Sequence, residues 1–346
     1  MFVYTLCHIG AERHLKAEVA EVAPALRFAF SRPGFITFKG PDDARPPDWL
    51  IFARTWGQVI GQVREADGAR RCQAVADMLR AQGWSTSPLR LLVASRDLEA
   101  PSPAYDEDTT PFAREDEAAA LLRPALEEAG LTLLPEGAAQ AGERVVEVLV
   151  VEPDHWFVGA RVQEAGRWGV AGGRPRIAAP VGVPSRVWEK VEQGLLWGDI
   201  AVGADSVVLD IGCAPGGGPH VLLGRGARVI GVDPAQMAPA ILANPRFEHI
   251  ARAFELVRPD ELGAAPDLVI FDVNLAPIKT VKPLCRLLGG LPSVKAALLT
   301  MKLNDARMVE KIGWMLEQVR GAGFGVVRAT QLAANRQEIC ILARRA

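Results

Sequence analysis

Hydrophobic positions follow two rhythms along this chain. In the first half, residues 2–9 are mostly apolar and predict a strand, and Glu12 to Val22 places Leu15, Val19 and Val22 on one helical face. Phe35-Ile-Thr-Phe38 predicts a returning strand, and Trp49 to Val63 another. Ala69 to Gln82 predicts a helix, Leu89 to Ala94 a strand and Glu115 to Ala129 a further helix. Ser95 to Pro111 is acidic and carries proline, which predicts a loop. Val145–Val151 and His155–Val162 predict paired strands around Glu152-Pro-Asp154. Residues 1–164 therefore predict an α+β region, with no internal repeat.

Residues 165–184 are rich in glycine, proline and arginine and predict a linker. Arg161, Arg167, Arg174, Arg176 and Arg186 have only Glu164 as a nearby acid in sequence. Two readings stay open for them, a phosphate-binding strip or a solvated linker. From Ser185 the rhythm becomes α/β. A helix is predicted over Ser185–Gly194, and strands over Val207–Ile211, Arg228–Val232, Asp267–Phe271 and Ala296–Met301. A helix over about Ala306 to Ala322 follows, then a terminal antiparallel pair, Gly325–Thr330 and Glu338–Ala343. Residues 185–346 predict a Rossmann-like α/β domain, which binds ligand at the carboxyl ends of its strands.

The 346-residue length suits two or three domains, and 49% hydrophobic with 23% charged residues excludes global disorder. A net charge of −2 gives no overall field for nucleic acid, so any RNA contact must come from a local patch. The five cysteines form no C-x-x-C pair, and the five histidines show no ligand spacing, so neither a disulfide framework nor a metal site is expected. No signal peptide or bilayer-length apolar run is evident; the expectation is a cytoplasmic protein with no membrane partner. The oligomeric state is not legible.

Val207-Val-Leu-Asp-Ile-Gly-Cys-Ala-Pro-Gly-Gly217 runs from a strand through an acid into a glycine-rich turn, and Arg228-Val-Ile-Gly-Val232 leads to Asp233. A carboxylate at the second strand's tip accepts hydrogen bonds from ribose hydroxyls. The turn lacks the spaced G-x-G-x-x-G that wraps a pyrophosphate, so it suits a phosphate-free adenosine cofactor, S-adenosylmethionine. Gly212, Gly216 and Gly217 either admit the cofactor or simply permit positive φ, and Asp210 either binds it or braces the turn.

Lys190, Asp272, Lys302 and Glu338 fall where such a sheet brings residues together. Two lysines and two carboxylates suit activation of a weakly acidic hydroxyl. A second ammonium and partial burial both favour the neutral amine, so Lys302 is the expected base on a ribose 2′-hydroxyl. Asp272 and Glu338 would orient the lysines and the hydroxyl. Trp168 and Trp188 are the best-placed base-stacking candidates.

The Lys–Asp–Lys–Glu order resembles that of the FtsJ-like ribose 2′-O-methyltransferases. Within that group the chain is similar to the RlmM family, on Gly10-Ala-Glu-Arg-His-Leu-Lys-Ala-Glu18, Leu50-Ile-Phe-Ala-Arg-Thr-Trp56, Pro184-Ser-Arg-Val-Trp-Glu-Lys190, Ala214-Pro-Gly-Gly217, Met301-Lys302 and Asn335-Arg-Gln-Glu-Ile339. The first segment resembles the opening of THUMP-containing RNA-modifying enzymes. The resemblance implies a Rossmann-like class I methyltransferase domain preceded by an α+β THUMP-type domain that binds RNA. It implies methylation of a cytidine ribose of 23S ribosomal RNA, with Lys302 catalytic and Lys190, Asp272 and Glu338 in support. It also implies that Ser185, the turn Ala214, Pro215, Gly216 and Gly217, Asp233 and Asp272 contact S-adenosylmethionine. The chain departs from the family pattern at Gly218-Pro219 and at Ala253. Rival readings are a methyltransferase of another RNA or a small hydroxylated molecule, and a non-catalytic RNA-binding relative.

Overall fold

Buried β-branched and aromatic side chains gather into two seven-stranded sheets, one in each of two units, Met1–Pro175 and Arg176–Ala346. The structure is a computed structural model, and it describes residues 1–97 and 112–345. Most of the loop predicted over Ser95–Pro111 therefore lies outside the described residues.

The first unit runs β1 (Phe2–Leu6), α1 (Glu12–Val22), β2 (Arg27–Arg32), β3 (Phe35–Lys39), β4 (Thr55–Arg64), α2 (Gly68–Ala81), β5 (Arg90–Ser95), α3 (Ala113–Glu128), β6 (Arg144–Glu152) and β7 (His155–Val162). Its sheet order is β2-β3-β1-β4-β7-β6-β5, antiparallel except for the β5–β6 pair. Val75 and Leu79 of α2 and Leu122 and Leu126 of α3 bury against Val146, Val148, Trp156 and Val158 of the sheet. The strand predicted from Trp49 begins only at Thr55, because the amides of Ile51 and Phe52 donate to the Glu18 carboxylate at 2.6 and 3.2 Å instead of to a ladder.

The predicted linker is divided. Through Pro175 it belongs to the first unit. The Gly172 amide donates to the buried Glu147 carboxylate at 2.7 Å, and the Ala139 amide donates to the Gly169 carbonyl at 2.7 Å. A Cβ on Gly173 would stand 2.3 Å from the Arg54 carbonyl oxygen, so only glycine fits there. Two of the five arginines are likewise internal ties and no phosphate strip. Arg161 is buried and ion-paired with Glu147, and Arg167 lies 4.0 Å over the Trp56 ring and donates to the Trp56 carbonyl at 2.8 Å. Their partners come from distant strands, which sequence neighbours cannot show.

The second unit runs α4 (Val187–Gly198), β8 (Val207–Ile211), α5 (Gly217–Gly224), β9 (Arg228–Val232), α6 (Pro239–Leu242), β10 (Phe247–Ile250), β11 (Leu268–Phe271), α7 (Pro277–Gly289), β12 (Ala296–Lys302), α8 (Ala306–Glu310), α9 (Ile312–Gly321), β13 (Val326–Thr330) and β14 (Glu338–Arg344). The sheet order is β10-β9-β8-β11-β12-β14-β13. β10, β9, β8, β11 and β12 are parallel, and β14 is antiparallel to both its neighbours. This is the Rossmann-like sheet expected. The order in which the chain lays down its strands reverses between β8 and β11, where open α/β sheets bind ligands. α4 continues past its predicted end because Gly194 faces the sheet: a Cβ there would stand 3.0 Å from Leu298 Cδ1. The single helix predicted from Ala306 is two helices meeting at Lys311.

Candidate active site

The carboxyl ends of β8 and β11 carry the glycine turn and Asp272 side by side. The Asp272 amide donates to the Ile211 carbonyl at 2.9 Å. Gly212 then turns away with φ +82°, and a Cβ there would stand 2.4 Å from the Asp272 carbonyl oxygen. Gly212 thus lets the turn pass directly against the strand end that bears Asp272. Beyond it the Ala214–Pro215 peptide is cis, Gly216 has φ +123°, and α5 starts at Gly217.

Asp233, at the tip of β9, braces this turn. Its Oδ2 accepts from the Ala214 amide at 3.0 Å and its Oδ1 from the Ala235 amide at 2.8 Å. Two glycines opening α5 admit two polar side chains beneath the helix. A Cβ on Gly217 would stand 2.3 Å from Ser185 Oγ, and one on Gly218 2.6 Å from Asp210 Oδ2. Ser185 Oγ and Asp210 Oδ2 are both buried without a hydrogen-bond partner. Burial, reinforced by Asp272 and Asp233, pushes the Asp210 carboxyl up to about 8. A side chain at Gly218 would therefore require Asp210 to move.

Lys190, Asp272, Lys302 and Glu338 form a closed ring of alternating charge. Lys302 Nζ lies 2.6 Å from Asp272 Oδ1 and 2.6 Å from Glu338 Oε2. Lys190 Nζ lies 3.1 Å from Asp272 Oδ2 and pairs with Glu338 Oε1. Each carboxylate thus gives one oxygen to each lysine. The side chains are between 6 and 12% exposed, enough to touch a substrate but largely out of water. Lys190 comes from the second turn of α4, Asp272 follows β11, Lys302 ends β12 and Glu338 opens β14.

The charge state of Lys302 corrects the expectation from sequence. Burial and the neighbouring ammonium were expected to favour the neutral amine. Burial does lower its pKa, but Asp272 and Glu338, both in hydrogen-bond contact, outweigh it and raise the pKa above the usual lysine value. Glu338 shows the mirror effect. Burial raises its carboxyl, and Lys190 and Lys302 together pull it below the usual range. The lysines are separated by carboxylates, so attraction governs the ring and not repulsion.

The loop before β14 supplies features that sequence reasoning passed over. Gln331 Nε2 donates to the Arg336 carbonyl at 2.8 Å and Asn335 Oδ1 accepts from the Leu332 amide at 2.8 Å, which fix the approach to Glu338. The Ala334 amide donates at 2.8 Å to Gln193 Oε1 of α4. Buried Gln193 and Asn335, polar residues in otherwise apolar surroundings, were the available signal. Trp188, on the buried face of α4, is 4% exposed and offers no stacking platform. Among the described residues, no group of three or more His, Cys, Asp or Glu could hold a metal ion, and no helix is long and apolar enough to cross a membrane.

Residues 183–313, from the approach to α4 through the start of α9, match the family model of FtsJ-like methyltransferases. The chain is 28% identical to ribosomal RNA large subunit methyltransferase M of Halorhodospira halophila over 98% of its own length and 95% of the relative's. It is also 28% identical to ribosomal RNA large subunit methyltransferase M of Marinobacter nauticus, over 83% and 82%. Among solved structures, the crystal structure of TrmN from Thermus thermophilus aligns over 99% of both chains at 14% identity, with a TM-score of 0.37 that carries no functional weight. The second unit holds an FtsJ-like methyltransferase domain, and the chain as a whole is similar to ribosomal RNA large subunit methyltransferase M.

Proposed function

We propose that this protein methylates a ribose 2′-hydroxyl of large-subunit ribosomal RNA, a cytidine of 23S RNA, in the cytoplasm. The observation that carries this reading is the closed Lys190–Asp272–Lys302–Glu338 ring at the ligand edge of the sheet. The domain's relatives support methyl transfer and ribosomal RNA; the ring supports the hydroxyl acceptor.

The residues present fit S-adenosylmethionine. The Gly212–Gly217 turn brings backbone to the edge of the switch point, and two buried polar atoms beneath it, Ser185 Oγ and Asp210 Oδ2, lack partners. Ser185, Asp210, Gly212, Ala214, Pro215, Gly216, Gly217, Asp233 and Asp272 would hold the cofactor. Bound there, it supplies a methyl group on a positively charged sulfur.

The chain's own part is to hold the hydroxyl and take its proton. Asp272 and Glu338 anchor Lys302 Nζ in one place, so a ribose oxygen docked on it is positioned at little further entropic cost. Lys302 must lose a proton before it can accept the one from the 2′-hydroxyl. Once it has, Nζ can take the proton of the 2′-hydroxyl, and the two carboxylates stabilise the ammonium produced. Lys190, held by the same carboxylates, balances their charge and keeps them facing Lys302. The first unit, Met1–Pro175, would present the RNA.

The test is transfer of labelled methyl from S-adenosylmethionine to protein-free 23S RNA from cells lacking this protein. The reading expects a ribose 2′-O-methyl nucleotide with the wild type and none with Lys302→Ala. An unlabelled RNA, with cofactor bound, overturns the substrate assignment.

A further inference from the structure

The ring of lysines and carboxylates is neutral when its four groups are charged, so it offers no net attraction to a nucleic-acid backbone. Two further positive charges, Arg186 and Arg336, lie just outside it. Arg186 precedes α4, one turn before Lys190, and so stands on the same helical face. One of its terminal nitrogens reaches the Ala334 carbonyl, at 3.5 Å, on the loop that leads to Glu338. Arg336 sits on that same loop, two residues before Glu338, with its Nε buried and lacking a hydrogen-bond partner.

Across the site, then, Lys190 and Glu338 form a paired rung, and Arg186 and the Arg336 loop form a second rung beside it. The second rung joins the Arg186 guanidinium to the loop that carries Arg336, and neither arginine makes an ion pair among the described residues. The acid nearest in sequence, Glu189, is engaged by Gln193 Nε2 at 3.0 Å. Both arginines are half-buried, so each is partly desolvated yet open to a ligand. Of the five arginines read as a possible phosphate strip, Arg186 stands beside the ring.

We propose that Arg186 and Arg336 clamp a backbone phosphate of the RNA next to the ribose being methylated. Guanidinium groups bind phosphate oxygens through paired N–H donors, which fixes orientation as well as position. A phosphate held there would set the adjoining 2′-hydroxyl against Lys302. The clamp rests on the RNA reading above, and both arginines are positioning residues.

The experiment measures, for the full chain with Arg186→Gln, Arg336→Gln and each Arg→Lys variant, RNA affinity across a salt series, KM for RNA, and S-adenosylmethionine affinity. Each glutamine variant should weaken RNA binding about tenfold and lower the slope of log affinity against log salt by about one. S-adenosylmethionine affinity and thermal midpoint should not change, and lysine should restore part of the binding. An unchanged salt slope with both glutamine variants overturns the clamp. So does an equal loss of cofactor affinity, which would mark the arginines as parts of the fold. Because RNA binding is read directly, a wild type that binds RNA without methylating it counts against the proposed reaction and leaves the clamp to be judged by its slope.

Discussion

Lys302 and Glu338 are cross-strand partners, the last residue of β12 opposite the first of β14, with Nζ 2.6 Å from Oε2. The register that places apolar Met301 opposite Ile339 and Leu299 opposite Ile341 therefore also places base against acid. A slip of one residue would turn Glu338 to the other face of the sheet. The reactive pair is thus held by the same ladder that closes the core.

Replacing Lys302 by alanine should abolish most transfer while sparing the cofactor, because the glycine turn is built by β8 and β9 and not by β12. The expected loss in kcat is about 10²–10⁴-fold, the usual worth of a positioned proton acceptor. Equilibrium binding of S-adenosylmethionine, measured beside single-turnover transfer, checks this. A parallel loss of cofactor affinity would assign Lys302 to the fold instead.

Glu338→Gln should separate speed from pH dependence. Wild-type rate should climb with pH above neutrality, since the raised pKa of Lys302 keeps its amine protonated there. Glutamine removes one of the two carboxylates that raise it, so the rise should move to lower pH. The plateau should fall, because Lys302 loses an anchor and the new ammonium loses a counter-ion. Profiles of single-turnover rate against pH for both proteins decide the matter; an unmoved profile would mean that Lys302 is not the titrating base.

The same ring should leave opposite signatures in stability. The raised pKa of Lys302 contributes stability that is complete below the unfolded lysine value of about 10.4 and is lost as pH rises through the folded value. The lowered pKa of Glu338 contributes stability that is complete above the unfolded value of about 4.3 and is lost as pH falls through the folded value. Thermal midpoints of wild type and Glu338→Gln should therefore differ most near neutrality and converge in acid.

Much of this was legible in the chain because its signals are local. Val207–Ile211 and Arg228–Val232 are short apolar runs ended by an acid or a glycine, and they form strands with those bounds. β2 and β10 were not read, and both are edge strands whose residues are half-buried or exposed, so no apolar face marks them. Asp272, Lys302 and Glu338 were legible by their order at strand ends, and Lys190 by its place on the helix before them. Their charge state was not, since it depends on carboxylates lying between the lysines, a fact of packing alone. The inward fold of residues 165–175 was hidden for the same reason, as Glu147, which receives the Gly172 amide, belongs to β6.

Asp210 offers the sharpest test of the turn beneath the cofactor site. With its carboxyl raised to about 8 by burial and by Asp272 and Asp233, the folded protein keeps a proton there that the unfolded chain releases near pH ~3.9. Stability from this group is therefore complete below that unfolded value and is lost progressively as pH rises toward 8. Asp210→Asn carries no such titration, so it should raise the thermal midpoint of the free protein at pH 8 and change it little in acid. A cationic cofactor brought beside Asp210 would favour the carboxylate, so binding should release a proton and tighten as pH rises toward 8. Calorimetry in buffers of different ionisation enthalpy measures that release directly. Asp210→Asn should abolish it and weaken binding by about tenfold or more, the loss expected for a charged hydrogen-bond partner. If the variant bound the cofactor as well as wild type, with the proton release intact, Asp210 would be a brace for the turn and not a cofactor ligand.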